Sequence, residues 1–586
     1  MERTRTIFFA IVGVVLLIVG VAVVFSWMNR VLQNGPTATT APGISTPIDV
    51  PKGSVLITIS SSSTKQGWME AVVANFEAAG KTTKSGSPIV VQVMPVLSGG
   101  SMNDILNGKS QPTVWSPGAP SWVEQLDETW KQRTGKSLMS QECKPVVYTP
   151  LGIAMWRPMA EALGWPNQPV GWQTIVDLAA NPEGWASYGH PEWGKFSFGH
   201  GHPKYSNAGL LTVTSFVYGM AGKTDTLTAQ EVYAPRVETS MRALAQNTSK
   251  YGTLTTDLLD LMAKQGPSYI HAVATFESDT VSMNLNRSDE LRFPLAFIFP
   301  SEGTFWGDHP YCVLDKAEWV TAEEAEAATI FLEYLLSKEQ QSLAMDTLLR
   351  PLDTGIPLRV PLDLEHGTNP QITPATIPPL AFPDADVSAA IIDLFMITKR
   401  KATVIIVLDT SGSMQGEKIR SATEATVAFL ERLHPDDKVG VMAFNQKVIT
   451  LSEPQRVGDV VEQLSGQVNM LIADGNTALH EAVCQSTRLM ETLSSNDQAA
   501  GENRLYGIIL LSDGEDTVGD PTQNQMFAMC LPSNAEANSF KVFPIAFGDD
   551  ANEEVLKRIA DVTGGQLFTA DPDSIDRIYQ RISAEQ

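Results

Sequence analysis

Cysteine is scarce, with four in 586 residues and no C-x-x-C pair among them. That removes the usual signatures of a zinc ribbon or a thioredoxin-type redox site. Basic residues are outnumbered, 42 Lys and Arg against 66 Asp and Glu, for a formal net charge of −24. No Lys/Arg-rich run offsets the imbalance, and a chain so charged is repelled by phosphate backbones, so nucleic acid is set aside as a partner. Missing too are the phosphate-cradling G-x-x-x-x-G-K-[ST], the G-x-S-x-G elbow and the H-E-x-x-H zinc pair. With no such constellation legible, the expectation is that the protein is not an enzyme.

Long apolar runs are absent but for one, Thr6 to Trp27, which carries no charge. About 20 residues rising 1.5 Å each cross a bilayer core of about 30 Å. Neither a small-x-small cleavage site nor a cysteine for lipidation follows, and Trp27, Met28, Asn29 and Arg30 come directly after. Residues 6–28 are therefore expected to be an uncleaved signal anchor. Arg3 and Arg5 before it, against Arg30 after it, favour a cytoplasmic end at 1–5 and an extracytoplasmic body, a single-pass protein of the cell membrane. Residues 29–52, rich in Pro, Thr, Gly and Ser, read as a flexible stalk. The remaining length is too great for one core, and roughly two to four domains are expected.

The body is organised around Val404 to Met414. Val404-Ile405-Ile406-Val407-Leu408 is a strand buried on both faces, as in a parallel sheet, and it breaks into Asp409-Thr410-Ser411-Gly412-Ser413. A carboxylate and two hydroxyls within one turn are hard oxygen donors, suited to Mg²⁺, Mn²⁺ or Ca²⁺ rather than zinc. Downstream, Asp474-Gly475-Asn476-Thr477 enters an amphipathic helix, and Leu505 to Leu511 is a second buried strand, ending in Ser512-Asp513. Asp and Ser before a helix also serve as plain N-caps, but three such segments in order make that reading weak. The constellation resembles the metal-ion-dependent adhesion site of von Willebrand factor A domains, over residues 400–586. The resemblance implies Ser411, Ser413 and Thr477 as hydroxyl ligands and Asp409 and Asp513 as direct or water-mediated ones. It also implies an open coordination position for an Asp or Glu of a protein partner. Asn476, where many members of that family have Gly, is a departure. A helix from Lys418 to Leu433, a strand from Val439 to Phe444, a helix from Thr477 to Leu493 and a strand from Phe540 to Phe547 complete a doubly wound, Rossmann-like α/β pattern.

Residues 53–350 alternate strand and helix differently. Val55 to Ile59 breaks into Ser60-Ser61-Ser62-Ser63-Thr64, Pro88 to Val96 into Leu97-Ser98-Gly99-Gly100-Ser101, and Pro112 to Trp115 into Ser116-Pro117-Gly118. Strands that end in hydroxyl- and glycine-rich turns before helices place a polar ligand crevice at their carboxyl ends. The order resembles bacterial extracellular solute-binding proteins, most nearly the two-lobed type that binds oxyanions. Lys144 to Ala154 would be the crossing strand, and Gly199 to Gly209 a second-lobe ligand turn. Carried over, Ser61, Ser62, Ser98, Ser101, Ser116, Ser206 and Asn207 are expected to line the cleft for a small solute or oxyanion. Ser-rich turns are also ordinary helix caps. Glu277 and Asp279 facing the same cleft would argue instead for a cationic or hydroxylated ligand, so the sign of the ligand stays open. His200 and His202, on one face if extended, have no convincing third partner for a transition metal. Trp165, Trp172, Trp185 and Trp193 suit packing better than stacking on a ligand.

Residues 351–399, with eight prolines between Pro351 and Pro383, read as a linker followed by a short helix from Val387 to Thr398. The cysteines divide two and two. In an oxidising compartment, Cys143–Cys312 and Cys484–Cys530 are the bridges within each domain; otherwise all four are buried thiols. Three functions compete: an anchored binding and adhesion protein, a receptor of an ABC-type uptake system with an appended domain, and a subunit of a chelatase-like enzyme complex.

Overall fold

A computed structural model describes residues 50–582 except 97, 205, 253, 503, 514, 532–539, 549–550, 573, 576–577 and 580–581. The expected cytoplasmic end, anchor and nearly all of the stalk lie outside the described residues. Among those described, no helix is long and apolar enough to cross a membrane.

The first half is built from two sheets. In the first lobe the order is Ile89–Val96, Val55–Ser62, Val114–Ser116, Pro310–Val313 and Lys144–Pro145. Val55–Ser62 pairs parallel with both Ile89–Val96 and Val114–Ser116, and Pro310–Val313 pairs antiparallel with both Val114–Ser116 and Lys144–Pro145. The second lobe orders Leu295–Ile298, Leu151–Trp156, Ala272–Phe276, Phe198–Gly201 and Thr248–Gly252. A two-stranded ribbon, Val147–Tyr148 with Arg350–Pro351, lies where the chain passes between them. Because Pro310–Val313 returns to the first lobe after the second-lobe sheet is complete, the first lobe is assembled from two separated stretches.

The proline-rich stretch is not a free linker. Leu362 and Thr368 are fully buried, and Ile377 and Leu380 nearly so. Arg350 holds it: its guanidinium donates to both oxygens of Glu277, each at 2.7 Å, and to the carbonyls of Asn369 and Ile372. Thr368 adds a hydroxyl to the same carboxylate. Arg157 binds the carbonyls of Leu364 and Glu365 from the second lobe, while Arg359 pairs with Asp346 beside the first. The prolines leave backbone without amide donors, and these side chains supply what a ladder would otherwise provide.

The helix expected from Val387 runs from Ala385 to Thr398. Its apolar face, with Val387, Ile391, Leu394 and Phe395, belongs to the second lobe's core, so it is part of that lobe and not a spacer. Four residues after Thr398, Ala402 opens the central strand of the third sheet.

That sheet has the order Val448–Arg456, Lys438–Phe444, Ala402–Asp409, Leu505–Ser512, Lys541–Phe547 and Phe568–Ala570. All pairings are parallel except the edge hairpin of Val448–Arg456 with Lys438–Phe444. Val404, Ile406 and Leu408 face a layer that includes helix Glu417–Arg432 and helix Val457–Asn469, the latter not anticipated from the sequence. Ile405 and Val407 face the opposite layer, with helices Leu479–Ala499 and Glu553–Thr563. Helices on both sides of a mostly parallel sheet make the domain doubly wound, which explains why its central strand is apolar at every position.

The structure pairs Cys143 with Cys312 and Cys484 with Cys530. The first bond ties strand Pro310–Val313 to the residue before its neighbour Lys144–Pro145.

Arg350→Met would leave the Glu277 carboxylate buried without its cation. Unfolding in denaturant should show a loss of about 3–5 kcal/mol. An unchanged midpoint would mean that the strap is held by its apolar contacts alone.

Candidate functional site

The first candidate lies between the lobes. A cavity of about 390 Å³ is lined by Ser62, Ser63, Thr64, Ser98, Thr149, Asn207 and His309 on its polar side. Val96, Trp122, Leu211, Phe276, Phe305 and Phe382 form its apolar side. Helices beginning at Gln66, Ser98, Pro120 and Asn207 all start at or beside this wall, and their amino termini present positive dipole ends. Two hydroxyls converge at one point: a Cβ on Gly118 would sit 3.4 Å from Ser62 Oγ and 3.6 Å from Ser98 Oγ. The Gly118 amide donates to Ser98 Oγ at 3.0 Å, joining the second and third strand-end turns.

Ser62, Ser98 and Asn207 therefore reach the cavity. Four other serines singled out from the sequence do not. Ser61 is 1% exposed and its hydroxyl turns to the Ser62 carbonyl. Ser101 accepts from the Trp115 indole at 3.0 Å and donates to the Ser98 carbonyl. Ser116 donates to the Pro310 carbonyl at 2.7 Å, across the sheet. Ser206 caps helix Asn207–Ala221 by accepting from Gly209 N. A serine in such a turn either caps backbone or faces the ligand, and one-dimensional spacing does not separate the two.

Glu277 and Asp279 also turn away. Glu277 is spent on Arg350, and Asp279 accepts from Thr275 Oγ1 at 2.5 Å while burial raises its pKa. Phe276 takes the cavity-facing position of that turn. No described lining residue is Asp, Glu, Lys or Arg. His200 and His202 are buried against Tyr251 and Phe395, while His190 stacks on Trp193. Burial lowers the pKa of His200 to about 4. They pack the strap helix onto the second lobe. Trp172 and Trp185 are core residues, and Trp165 is nearly so.

Thr64, Thr149, His309, Trp122, Phe305 and Phe382 were not anticipated. Thr64 lay at the end of the first serine run. The others come from a crossing, a return strand, a helix and the strap, and only the closed fold brings them together.

The second candidate lies where strand order reverses in the third sheet, between Ala402–Asp409 and its neighbour Leu505–Ser512. Asp409 is fully buried. It accepts from the Ser411 amide at 2.8 Å and from Ser512 Oγ at 2.6 Å, and burial pushes its pKa up to about 6. Ser411 Oγ and Ser413 Oγ are 3.0 Å apart. Gly412 N donates to the Gly475 carbonyl and Asp474 N to that of Thr410, drawing the second turn to the first. Thr477 N donates to Thr517 Oγ1, and Thr517 N returns a bond to the Thr477 carbonyl. These bonds delay the helix, which starts at Leu479 rather than Thr477. Asp513, 6% exposed, completes the group beside Asp409. Two carboxylates with three hydroxyls and no cationic side chain bonded to Asp409 fit a small hard cation. Among the described residues there is no cluster of three or more His, Cys, Asp or Glu side chains.

Both halves have recognisable relatives. Residues 57–347 match the model of bacterial extracellular solute-binding proteins, and residues 403–581 that of the von Willebrand factor type A domain. The chain joins a solute-binding domain to a VWA domain. The chain is 31% identical over 186 residues to an uncharacterized protein of Synechocystis, covering 30% of this chain and 41% of that one. Bovine inter-alpha-trypsin inhibitor heavy chain H4 is 30% identical over 188 residues, 31% of this chain and 20% of that one. Each match thus spans well under half of the relative's length. Among solved structures, the periplasmic binding protein AfuA of Actinobacillus pleuropneumoniae aligns over 59% of this chain and 98% of its own, at 16% identity and a TM-score of 0.36.

Ser101→Ala should leave the Trp115 indole N–H buried without a partner. Urea unfolding is expected to record a loss of about 1–3 kcal/mol with solute affinity unchanged. A large fall in affinity at unchanged stability would place Ser101 in the ligand shell after all.

Proposed function

We propose that the protein is a membrane-anchored, extracytoplasmic binding and adhesion protein without catalytic activity. Its VWA domain holds a divalent cation, Mg²⁺ by preference or else Mn²⁺ or Ca²⁺, with Asp409, Ser411, Ser413, Thr477 and Asp513. Bound there, the cation supplies an open coordination position for an Asp or Glu carboxylate of a partner protein. Asp409 and the Ser512 hydroxyl behind it orient the donor set, while the Gly412–Gly475 and Thr477–Thr517 contacts keep the three turns in register. The observation that carries this reading is the buried Asp409 carboxylate, hydrogen-bonded yet uncompensated, at the switch point beside two hydroxyls 3.0 Å apart. A buried charge of this kind needs a partner of opposite sign.

The solute-binding domain takes a small polar solute or oxyanion in the interlobe cleft. Placement outside the cytoplasm is supported by the charge bias around residues 6–28 and by two disulfides, which persist in oxidising compartments. The same bonds weigh against a cytoplasmic chelatase-like complex. A receptor role in an ABC-type uptake system is the second reading, favoured by the cleft itself. It requires a permease partner and leaves the VWA site without a task.

Full-chain thermal unfolding with Mg²⁺ or with EDTA tests the metal reading. Mg²⁺ at about 100 times its Kd should add about 2.7 kcal/mol to the VWA transition, and Asp409→Ala should abolish the gain. Equal gains in wild type and variant would sink it.

A further inference from the structure

The solute cleft holds one more piece of chemistry, just behind its floor. Lys65 is fully buried. Its ammonium donates to the carbonyl of Ser116 at 2.7 Å and of Pro117 at 3.4 Å, and lies 3.5 Å from His309 Nδ1. Three donors meet three acceptors, none of them a carboxylate. When Lys65 is charged its ammonium only donates, so Nδ1 accepts and the imidazole proton lies on Nε2. That nitrogen is 2.8 Å from Thr149 Oγ1. His309 and Thr149 both line the cavity, and His309 is held in the left-handed region at φ +41°, a conformation that a bulky residue adopts only when its surroundings enforce it. Asp308, the residue before His309, lines the adjoining cavity, and burial raises its pKa.

A buried amine with no carboxylate of its own thus sits behind a cavity that has hydroxyls and helix amino termini on one wall and aromatic rings on the other. The volume, about 390 Å³, falls within the range of small organic ligands, about 300–1,000 Å³. A four-oxygen inorganic anion needs only a few water volumes of about 30 Å³ each.

We propose that the cleft takes a small organic anion, its phosphate- or carboxylate-type head against Ser62, Ser98 and Thr149 and its apolar remainder under Phe382, with Lys65 as the countercharge behind the head. This rests on the reading of the interlobe cleft as a solute site. Phe382 matters because it belongs to the strap and not to either lobe, so the wall that senses the ligand's apolar part is the segment leading into the VWA domain. Burial lowers the Lys65 pKa to about 7, and only His309, itself held neutral by burial, lies within its reach. An anion at the cleft floor raises that pKa again, so binding above pH 7 draws a proton from solvent. The sign follows: the charged amine is the binding form, and affinity falls as pH rises, approaching tenfold per unit above pH 7.

The test is titration calorimetry on the disulfide-bonded protein in two buffers of different ionisation enthalpy, with inorganic phosphate, phenyl phosphate, benzoate, glucose and putrescine. Binding of phenyl phosphate or benzoate at least tenfold tighter than inorganic phosphate, with close to one proton taken up at pH 8 and almost none at pH 5.5, supports the proposal. Phe382→Ala should then remove the preference for the organic anion and leave phosphate binding in place. Lys65→Met should remove the proton uptake, and the wild-type buffer comparison stands even if that variant does not fold. Glucose or putrescine binding in preference to the anions overturns the proposal and leaves the solute-site reading intact, as does anion binding without proton uptake. If none of the five binds, both fall.

Discussion

The buried ion pair between Arg350 and Glu277 sets the course of everything that follows it in the chain. Replacing such a pair with apolar residues of similar volume is often neutral or better, so its contribution is to geometry more than to stability. Arg350 belongs to the ribbon between the lobes, Glu277 begins a second-lobe helix, and the same guanidinium holds the carbonyls of Asn369 and Ile372. One side chain thereby fastens a proline-rich segment that cannot pair with itself. Once the strap is fixed, Phe382 falls at the cleft and helix Ala385–Thr398 falls into the second lobe's core.

That helix carries the VWA domain with it. Lys250 and Lys541 both stand over the Tyr269 ring, at 5.4 and 5.3 Å, and Lys250 also stands 6.0 Å from the Phe543 ring. The base of the VWA sheet therefore rests on the second lobe. Ala402 lies at this base and Asp409 at the other end of the strand, about 23 Å away at 3.3 Å per residue. The carboxylate site faces away from the solute domain, which leaves it free for a protein partner, and any influence of one site on the other must pass through the body of the sheet.

The net charge of −24 gives neither site a long-range attraction for anions. Both compensate locally. At the VWA site two carboxylates, Asp409 and Asp513, are brought together with no basic side chain bonded to Asp409. In the cleft the acids are removed instead, with Glu277 and Asp279 turned into the protein and Lys65 left without a carboxylate. Low dielectric strengthens such local charges relative to the screened exterior.

Short-range pattern was enough for the central strands of the first lobe and of the third sheet and for the oxygen-rich turns at their ends, but not for most strands of the second lobe. An apolar run that is buried on both faces and stops at Asp409 can only be a central strand, and the turn beyond it places Ser411 and Ser413 within a few residues, whatever the rest of the chain does. The two cysteine pairs were legible from their division between domains. The cleft was not, because each serine-rich turn offers several hydroxyls and the choice between capping a helix and facing a ligand depends on neighbours from another turn: Trp115 claims Ser101, and Pro310 claims Ser116. The strap was read as a linker because proline density marks lost amide donors but says nothing about side chains elsewhere that replace them. Composition and periodicity thus determined those strands and the oxygen-rich turns at the switch point of the third sheet, which adjacent parallel strands draw together. Tertiary structure alone decided which side chains face the cleft, where Lys65 sits and what the strap covers, since those contacts join residues up to 244 positions apart.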